Sequence, residues 1–378
     1  MISFTFDEEQ ELLRQQVRRF VDSEVIPNAR ECDESGKFPR RLFEKMGQLG
    51  FFALRYPEEL GGSSAGSITL SLILEEIARG DLALAAACQM QSLMGTDFIY
   101  RFGNNDQHER FLKPAIRGEK IGTICMTEPD AGSDLGAIKT TAVKKGKEWV
   151  INGQKNWVTL GPQADFFTVA AKTDPEAGFK GIDIFLVEKD SPGFSLGKSM
   201  PKLGTKAAPN TELYFDDCTV PEENLMGEQG TGFANLSKIL NEIRVQTGAL
   251  SLGVARAAYD EAVKYAGERA AFGRPIRKFQ AIAFHLAEMA TLIETSKLHV
   301  YRTAWMIETN QTCVKEAAMA KLVASEAANR ITDLAMRIFA AYGFSMEYDV
   351  QRYFRDARFL LLGGGTSEIL HGIINREL

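Results

Sequence analysis

The feature of this sequence that most limits its possible folds is a change of hydrophobic period, from helical to strand-like and back. Up to about residue 118, apolar side chains recur every three to four positions, as Leu12, Leu13, Val17 and Phe20 do, and this spacing is typical of helices. Between about 119 and 225, short runs rich in β-branched and aromatic residues alternate with Gly and Pro turns. The sequence therefore predicts helices, then a β domain, then helices again.

The last third of the chain returns to the helical period in longer segments. It predicts four helices with short joints, near 233–271, 276–309, 312–342 and 367–377. Such a pattern favours an antiparallel four-helix bundle. We expect a mainly α protein with a small central β barrel or sandwich, and a chain of 378 residues is long enough for several packed units. The predicted domains are 1–118, 119–225 and 226–378.

Composition excludes several classes of function. The net charge is -6 and the sequence contains no cluster of Lys or Arg, so the chain offers no basic surface for nucleic acid. No apolar run reaches the length of a membrane span, and the first ten residues are acidic, unlike a secretory signal. The five cysteines are scattered singly, without metal-binding spacing. We expect a cytoplasmic protein with reduced thiols, no metal and no membrane contact.

Two motifs in the β region combine turn residues with polar side chains. The first, Cys125-Met126-Thr127-Glu128-Pro129-Asp130-Ala131-Gly132-Ser133-Asp134, places a turn directly after a predicted strand. The second is Ile151-Asn152-Gly153-Gln154-Lys155-Asn156-Trp157-Val158-Thr159, in which Asn152-Gly153 predicts a hairpin turn. From the residues alone, plain turns and a tryptophan in the core remain open as explanations.

The helical region carries a third motif, Arg269-Ala270-Ala271-Phe272-Gly273-Arg274-Pro275-Ile276. Its Gly and Pro predict the end of one helix and the start of the next. The chain contains no strand-linked Gly-x-Gly-x-x-Gly pattern, so a Rossmann dinucleotide site is not supported.

These three motifs, together with Arg355-Asp356-Ala357 near the end, resemble the acyl-CoA dehydrogenase family of flavoproteins. The resemblance covers essentially the whole chain. It implies a helix–sheet–bundle fold, an FAD cofactor and an acyl-CoA substrate. It also implies a homotetramer or dimer, because family members bind FAD across a subunit boundary, and an electron-transfer flavoprotein as electron acceptor.

The resemblance assigns flavin contacts to residues in each motif. Met126 and Thr127 would bond the pyrimidine edge of the flavin, and Trp157, Val158 and Thr159 would form a wall beside the isoalloxazine ring. Arg269 would neutralise the pyrophosphate of a neighbouring subunit's FAD by charge-assisted bonds. Further FAD contacts are implied at Phe272, Gln280, Arg337, Ala341, Thr366 and Glu368. Arg337 and Ala341 depart from the family pattern, in which Gln and Gly are common at these positions.

The resemblance also exposes a missing catalytic group. In the family, a Glu at the position of Gly364 removes the α-proton of the thioester, and a subgroup typified by isovaleryl-CoA dehydrogenase carries it at the position of Ile243. Neither residue is acidic here, although a general base contributes roughly 10²–10⁴-fold to the rate. Glu242 lies one position away, about 100° around the helix, and is the remaining candidate base. A solvated helix face is the simpler explanation for it.

The substrate contacts that the resemblance implies are Ser133, Gln89, Asn241, Arg244 and Gly364. Ser133 would meet the CoA portion, and Asn241 and Arg244 would lie near the thioester arm. Asp81 is expected to cap the helix that lines the acyl end of the site, which extends to Leu93 and carries Gln89.

Three functions remain open for a chain with this site. It could oxidise a cyclic or already unsaturated acyl-CoA by 1,4-elimination, with the three consecutive glycines giving room for a ring. It could instead act as a desulfinase or lyase, because expulsion of a leaving group needs no base. It could also bind acyl-CoA without turnover. Bleaching of the flavin by substrate distinguishes the first function from the other two.

Overall fold

A computed structural model describes residues 5–378, so the first four residues of the acidic N-terminus lie outside the described part. The N-terminal region is helical, as the sequence predicted. Asp7 caps its first helix by accepting a hydrogen bond from the Gln10 backbone N–H. The helices here are α1 (Glu8–Phe20), α2 (Ile26–Ser35), α3 (Arg40–Gln48), α4 (Ser67–Gly80), α5 (Leu82–Gln89), α6 (Asp97–Phe102), α7 (Asn105–Gln107) and α8 (Lys113–Ile116).

The predicted cap at Asp81 is present, since its carboxylate accepts the Leu84 N–H at 3.0 Å. The helix that it begins is regular only to Gln89 and continues as a π-helical turn over Met90–Met94. π turns are uncommon in helices and often lie at functional sites. Every residue of α5 is buried, so Gln89 faces the protein interior.

The middle of the chain forms one curled seven-stranded sheet. Its strands are β1 (Gly122–Cys125), β2 (Thr141–Lys145), β3 (Glu148–Thr159), β4 (Phe166–Lys172), β5 (Ile182–Glu188), β6 (Phe194–Ser199) and β7 (Asn210–Pro221). The order is β1-β4-β2-β3-β7-β6, with β5 paired to β4. β4 and β5 alternate little in burial because apolar side chains cover both of their faces.

The hairpin predicted at Asn152-Gly153 is wrong. β3 runs straight through these residues, and its register against β7 shifts between Ile151 and Gly153, which marks a bulge. Asn152 exchanges two hydrogen bonds with Asp217 of β7, at 2.8 and 3.0 Å. Gly153 has φ +148°, and a Cβ there would lie 2.5 Å from the Thr140 hydroxyl. The same dipeptide that favours a turn therefore serves a bulge in a long strand.

The C-terminal region packs three long helices and two short ones. They are α9 (Gly232–Glu268), α10 (Gln280–Glu308), α11 (Val314–Phe339), α12 (Val350–Leu360) and α13 (Ser367–Arg376). The sequence prediction missed α12, although Val350, Tyr353, Ala357 and Leu360 form a buried stripe at helical spacing. No helix within residues 5–378 is long and apolar enough to cross a membrane.

Candidate active site

The turn after β1 is held by a buried ion pair. Lys155 of β3 is fully buried and donates to the Glu128 carboxylate at 2.6 Å and to the Met126 carbonyl at 3.2 Å. Burial opposes ionisation of Glu128, but the Lys155 charge and further hydrogen bonds outweigh it and hold the pKa of Glu128 below its ordinary value. The Asn156 N–H donates to the Thr127 carbonyl at 2.8 Å. The first two motifs are therefore one structural unit.

The end of β3 departs from regular strand geometry at Trp157. Its φ is +58°, which is unusual for a bulky residue, and the register against β7 shifts between Lys155 and Val158. The indole remains 54% exposed, whereas Val158 is buried behind it. Asn210 Nδ2 donates to the Trp157 carbonyl at 2.9 Å and to the Thr159 hydroxyl at 3.1 Å.

This geometry fits the flavin that the resemblance implies. Strained backbone that the surrounding structure holds in place is concentrated at functional sites. Here the exposed Trp157 lies in the strained segment, between Asn156, which bonds the Thr127 carbonyl, and Thr159, whose hydroxyl accepts from Asn210. When FAD is bound, it supplies the two-electron acceptor. Trp157 and Thr159 would hold its ring, and Met126 and Thr127 its polar edge.

The residues implied for a neighbouring subunit's FAD lie on the surface at one end of the bundle. Arg269 follows α9, and its guanidinium carbon lies 5.6 Å from the centre of the Tyr342 ring. Phe272 has φ +50° and is 95% exposed. Gln280, Arg337 and Ala341 are also exposed, and Arg337 pairs with Asp333 at 2.8 Å. Among the described residues, no hydrogen bond, ion pair or ring contact joins this surface to β3.

The two family positions for the catalytic base face each other. Gly364 has φ +74°, and a Cβ there would lie 3.4 Å from Thr247 Oγ1 and 3.9 Å from Ile243 Cγ2. Gln89 Nε2 donates to the Ile243 carbonyl and to Thr247 Oγ1, at 3.1 Å each. The structure thus brings Gly364, Ile243 and Gln89 together, with no carboxylate among them.

Glu242 is not on a solvated face, so that explanation is wrong. Its side chain is 12% exposed and pairs with Arg55 at 2.8 Å. Arg55 also pairs with the fully buried Asp97. Burial alone would lower the pKa of Arg55, but the carboxylates of Glu242 and Asp97 raise it well above its ordinary value. Glu242 as the base stays a prediction, and its carboxylate is already held by Arg55.

Two buried cations lie next to Ile243 and Gly364: Arg244 follows Ile243 on α9, and Lys321 bonds Gly365. Arg244 is 8% exposed, donates to Asn241 at 3.0 Å and has no carboxylate partner in the described part of the chain. Burial and the Arg376 charge lower its pKa. Lys321 is fully buried and donates to the Gly365 carbonyl at 2.8 Å. Burial lowers the pKa of Lys321 to about 8. An anionic group would find buried positive charge here.

The remaining expected residues lie around this core. Ser133 is exposed just beyond the turn after β1. Thr366 caps α13 by accepting the Ile369 N–H at 3.3 Å, and Glu368 lies exposed in the first turn of that helix.

Sequence reasoning did not single out Thr247, Asn210 or Lys155 as parts of the site. Thr247 could have been found, because it follows Ile243 by four residues on α9 and residues at this spacing lie on the same face of a helix. Asn210 reaches Trp157 only because β7 pairs with β3, and no local pattern indicates that.

Three family models match consecutive parts of the chain. They are the N-terminal, middle and C-terminal domains of acyl-CoA dehydrogenases, at residues 7–119, 123–218 and 230–378. The chain belongs to the acyl-CoA dehydrogenase family and is an FAD-dependent oxidoreductase that acts on CH–CH groups.

Several relatives match along their full length. The chain is 51% identical over 378 residues to benzylmalonyl-CoA dehydrogenase of Aromatoleum aromaticum, covering 100% of both chains. It is 40% identical to 3-(aryl)acrylate reductase of Clostridium sporogenes, covering 99% of each. It is 39% identical to a subunit of the caffeyl-CoA reductase–Etf complex of Acetobacterium woodii, also covering 99% of each.

Solved structures share the fold. A chain from a study of the electron transferring flavoprotein of Acidaminococcus fermentans superposes with a TM-score of 0.97 at 36% identity, covering 100% of this chain and 99% of that one. Butyryl-CoA dehydrogenase from Megasphaera elsdenii gives the same TM-score at 34% identity, with the same coverage.

Proposed function

We propose that this enzyme oxidises an aryl-substituted malonyl-CoA, and that loss of the substrate's carboxylate as CO₂ replaces removal of the α-proton. The observation that carries this proposal is the pair Gly364 and Ile243. Both positions where the family places a base face the same space, and neither can accept a proton. The acidic residue nearest to them on α9 is Glu242, and its carboxylate forms an ion pair with Arg55.

A carboxylate on the α-carbon supplies what the missing base would supply. When the bond to the carboxyl carbon breaks, its electron pair stays on the α-carbon, as it does after deprotonation. The β-carbon loses a hydride, for which FAD, when bound, would be the acceptor. The net change is loss of CO₂ and hydride and formation of the α,β double bond, so charge and electrons balance without an external base.

The substrate class rests on relatives and on the pocket. The relative at 51% identity is named for benzylmalonyl-CoA, whose malonyl group carries a carboxylate on the α-carbon. Two further relatives are named for aryl or caffeyl substrates. Gly364 places no side chain beside Thr247, and Ala85, Ala86 and Ala87 keep side chains on α5 small. These features favour a broad aromatic acyl group.

The buried cations support an anionic substrate. Among the described residues, Arg244 has no carboxylate partner and Lys321 bonds only to the carbonyl of Gly365. A buried unpaired cation is costly unless a partner arrives. The free carboxylate of a malonyl thioester is such a partner, and it must be ionised in order to leave as CO₂.

The same site supports a proposal about assembly. We infer a homotetramer or dimer, because Arg269 and Phe272 lie on an exposed surface that makes no contact with the strand of Trp157 among the described residues. These residues would then contact the FAD of a neighbouring subunit. We further infer that electrons pass to an electron-transfer flavoprotein, as the name of the Etf-complex relative suggests.

Anaerobic titration of the FAD-loaded protein tests this function. We expect benzylmalonyl-CoA to bleach the flavin absorbance near stoichiometry, and 3-phenylpropionyl-CoA, which lacks the carboxylate, to leave it unchanged over the same time. Bleaching by a cyclic unsaturated acyl-CoA alone would favour 1,4-elimination. Product formation from a sulfinyl-substituted acyl-CoA without bleaching would favour a desulfinase, and no response to any thioester would favour a binding protein.

A further inference from the structure

Asn210 connects the two residues of the flavin wall. It begins β7, and both hydrogens of its amide are used, one on the Trp157 carbonyl and one on the Thr159 hydroxyl. The orientation of this amide is fixed chemically, because its Oδ1 accepts from Lys202 Nζ at 2.7 Å and an ammonium can only donate. Asn210 therefore bridges the bulge at which Trp157 adopts a left-handed φ.

Lys202 organises the loop before β7. Its ammonium donates to three oxygens: the carbonyl of Thr205 at 2.9 Å, the carbonyl of Ala208 and the side chain of Asn210. Three acceptors match the three hydrogens of an ammonium. Within residues 5–378 Lys202 forms no ion pair. Its three hydrogen bonds instead hold this loop and Asn210 in one arrangement.

The same loop is anchored to α12. The Thr205 N–H donates to Asp356 Oδ1 at 2.6 Å, and Arg355 Nη1 donates to the Leu203 carbonyl at 3.0 Å. Arg355 is also paired with Asp33 of α2. Because α12 leads directly into Gly363-Gly364-Gly365, one loop contacts both the helix before the acyl site and the wall of the flavin site.

We propose that Lys202 is a positioning residue for FAD, which acts by orienting Asn210 and through it Trp157 and Thr159. The charge-assisted bond from Lys202 to Asn210 Oδ1 sets the plane of the amide. That plane directs Nδ2 at the Trp157 carbonyl, so the strained backbone of Trp157 is stabilised from outside β3. Trp157 and Thr159 are then already in position before FAD binds, so FAD binding does not have to order them.

The test compares Lys202→Met, Lys202→Arg and the matched control Lys198→Met, which changes an exposed lysine of β6 whose side chain bonds to none of the described residues. Measured on the FAD enzyme are the FAD dissociation constant, the visible circular dichroism of the bound flavin and thermal unfolding. We expect Lys202→Met to raise the dissociation constant about tenfold or more, since a charge-assisted bond is lost. It should also change the flavin dichroism. Lys202→Arg should largely restore both, and Lys198→Met should match the parent.

Asn210→Ala keeps the proposal falsifiable if Lys202→Met folds poorly. We expect Asn210→Ala to reproduce the flavin effects, and the double variant to bind FAD no more weakly than Asn210→Ala alone, because both residues act through one contact. Unchanged FAD affinity and dichroism in either single variant would overturn the proposal. So would additive effects, which would show that Lys202 acts by general stability of the loop.

Discussion

Gly364 has φ +74°, in the region that glycine adopts readily and other residues adopt at a cost. A Cβ there would nevertheless make only ordinary van der Waals contacts, because the nearest atom, Thr247 Oγ1, would lie 3.4 Å away. The position thus resists a side chain through its backbone and not through its surroundings. A new side chain there would start next to Thr247 and Ile243.

From this we predict that Gly364→Glu creates ordinary α,β-dehydrogenation. The left-handed φ should cost about 1–2 kcal/mol of stability. Flavin bleaching by 3-phenylpropionyl-CoA should rise from background by about tenfold or more, since general-base assistance is restored. Gly364→Ala is the matched control, because it carries the same strain without a carboxylate. Equal rates in the two variants would show that the substrate's α-carbon is held elsewhere.

Lys202 leads to a prediction about pH. Burial lowers the pKa of Lys202 to about 8, although Asp356 on α12 opposes this. A neutral amine has two hydrogens for three acceptors, so FAD should be held more weakly as pH rises from about 7 to about 9.5. The unfolded lysine keeps its proton to about pH 10.5, so this group makes the fold more stable with rising pH in that window.

Weaker FAD binding at high pH would therefore not reflect unfolding caused by Lys202. Equilibrium dialysis of FAD at several pH values measures the effect. Lys202→Arg should show a flat profile over the same range, because arginine stays protonated. An equally steep profile in that variant would assign the pH dependence to another group.

At the scale of elements, the order of helices, sheet and bundle could be predicted from the sequence, because each hydrophobic period is typical of one kind of secondary structure. Long-range pairing could not. The long β3 depends on Asn152 bonding Asp217 in β7, which lies 65 residues away, so local turn chemistry gave the wrong answer. Likewise, Glu242 has the spacing of a surface residue, and its burial depends on Arg55 reaching α9 from another part of the chain.

Glu242 links α9 to the N-terminal helices, and Glu242→Gln separates its structural role from a catalytic one. We expect a loss of about 1–3 kcal/mol in stability, because the buried Arg55 keeps only Asp97 as a charged partner among the described residues. Turnover per bound FAD should stay within about threefold of the parent. Loss of turnover in a variant of near-normal stability would instead identify Glu242 as the base. Denaturant unfolding and stopped-flow bleaching provide the two measurements.

For the whole molecule, we expect the candidate site to be complete only when chains assemble. Residues of the bundle end that resemble FAD contacts are exposed, and the large apolar rings of Phe272 and Phe344 lie there uncovered. Exposed apolar groups concentrated in one place mark interaction surfaces. The sequence could indicate these residues only through the motif and its resemblance to the family, because no local pattern predicts how chains assemble.

Arg269→Ala should therefore weaken FAD retention and the oligomer together. Lys278→Ala changes an exposed neighbouring cation and is the control. Light scattering after gel filtration gives the mass, and the ratio of flavin to protein absorbance gives the FAD content. A variant that keeps full FAD while dissociating, or the reverse, would contradict a shared site.

The most direct test of the proposed chemistry is the fate of the substrate's carboxylate in a single turnover. Benzylmalonyl-CoA labelled with ¹³C in its free carboxyl group is mixed anaerobically with excess FAD enzyme, and labelled CO₂ and reduced flavin are counted. We predict one CO₂ for each flavin reduced, with an unsaturated product that has lost the label. Flavin reduction with the label retained in a benzylidenemalonyl thioester would show that a base removes the α-proton, and would contradict oxidation driven by loss of CO₂.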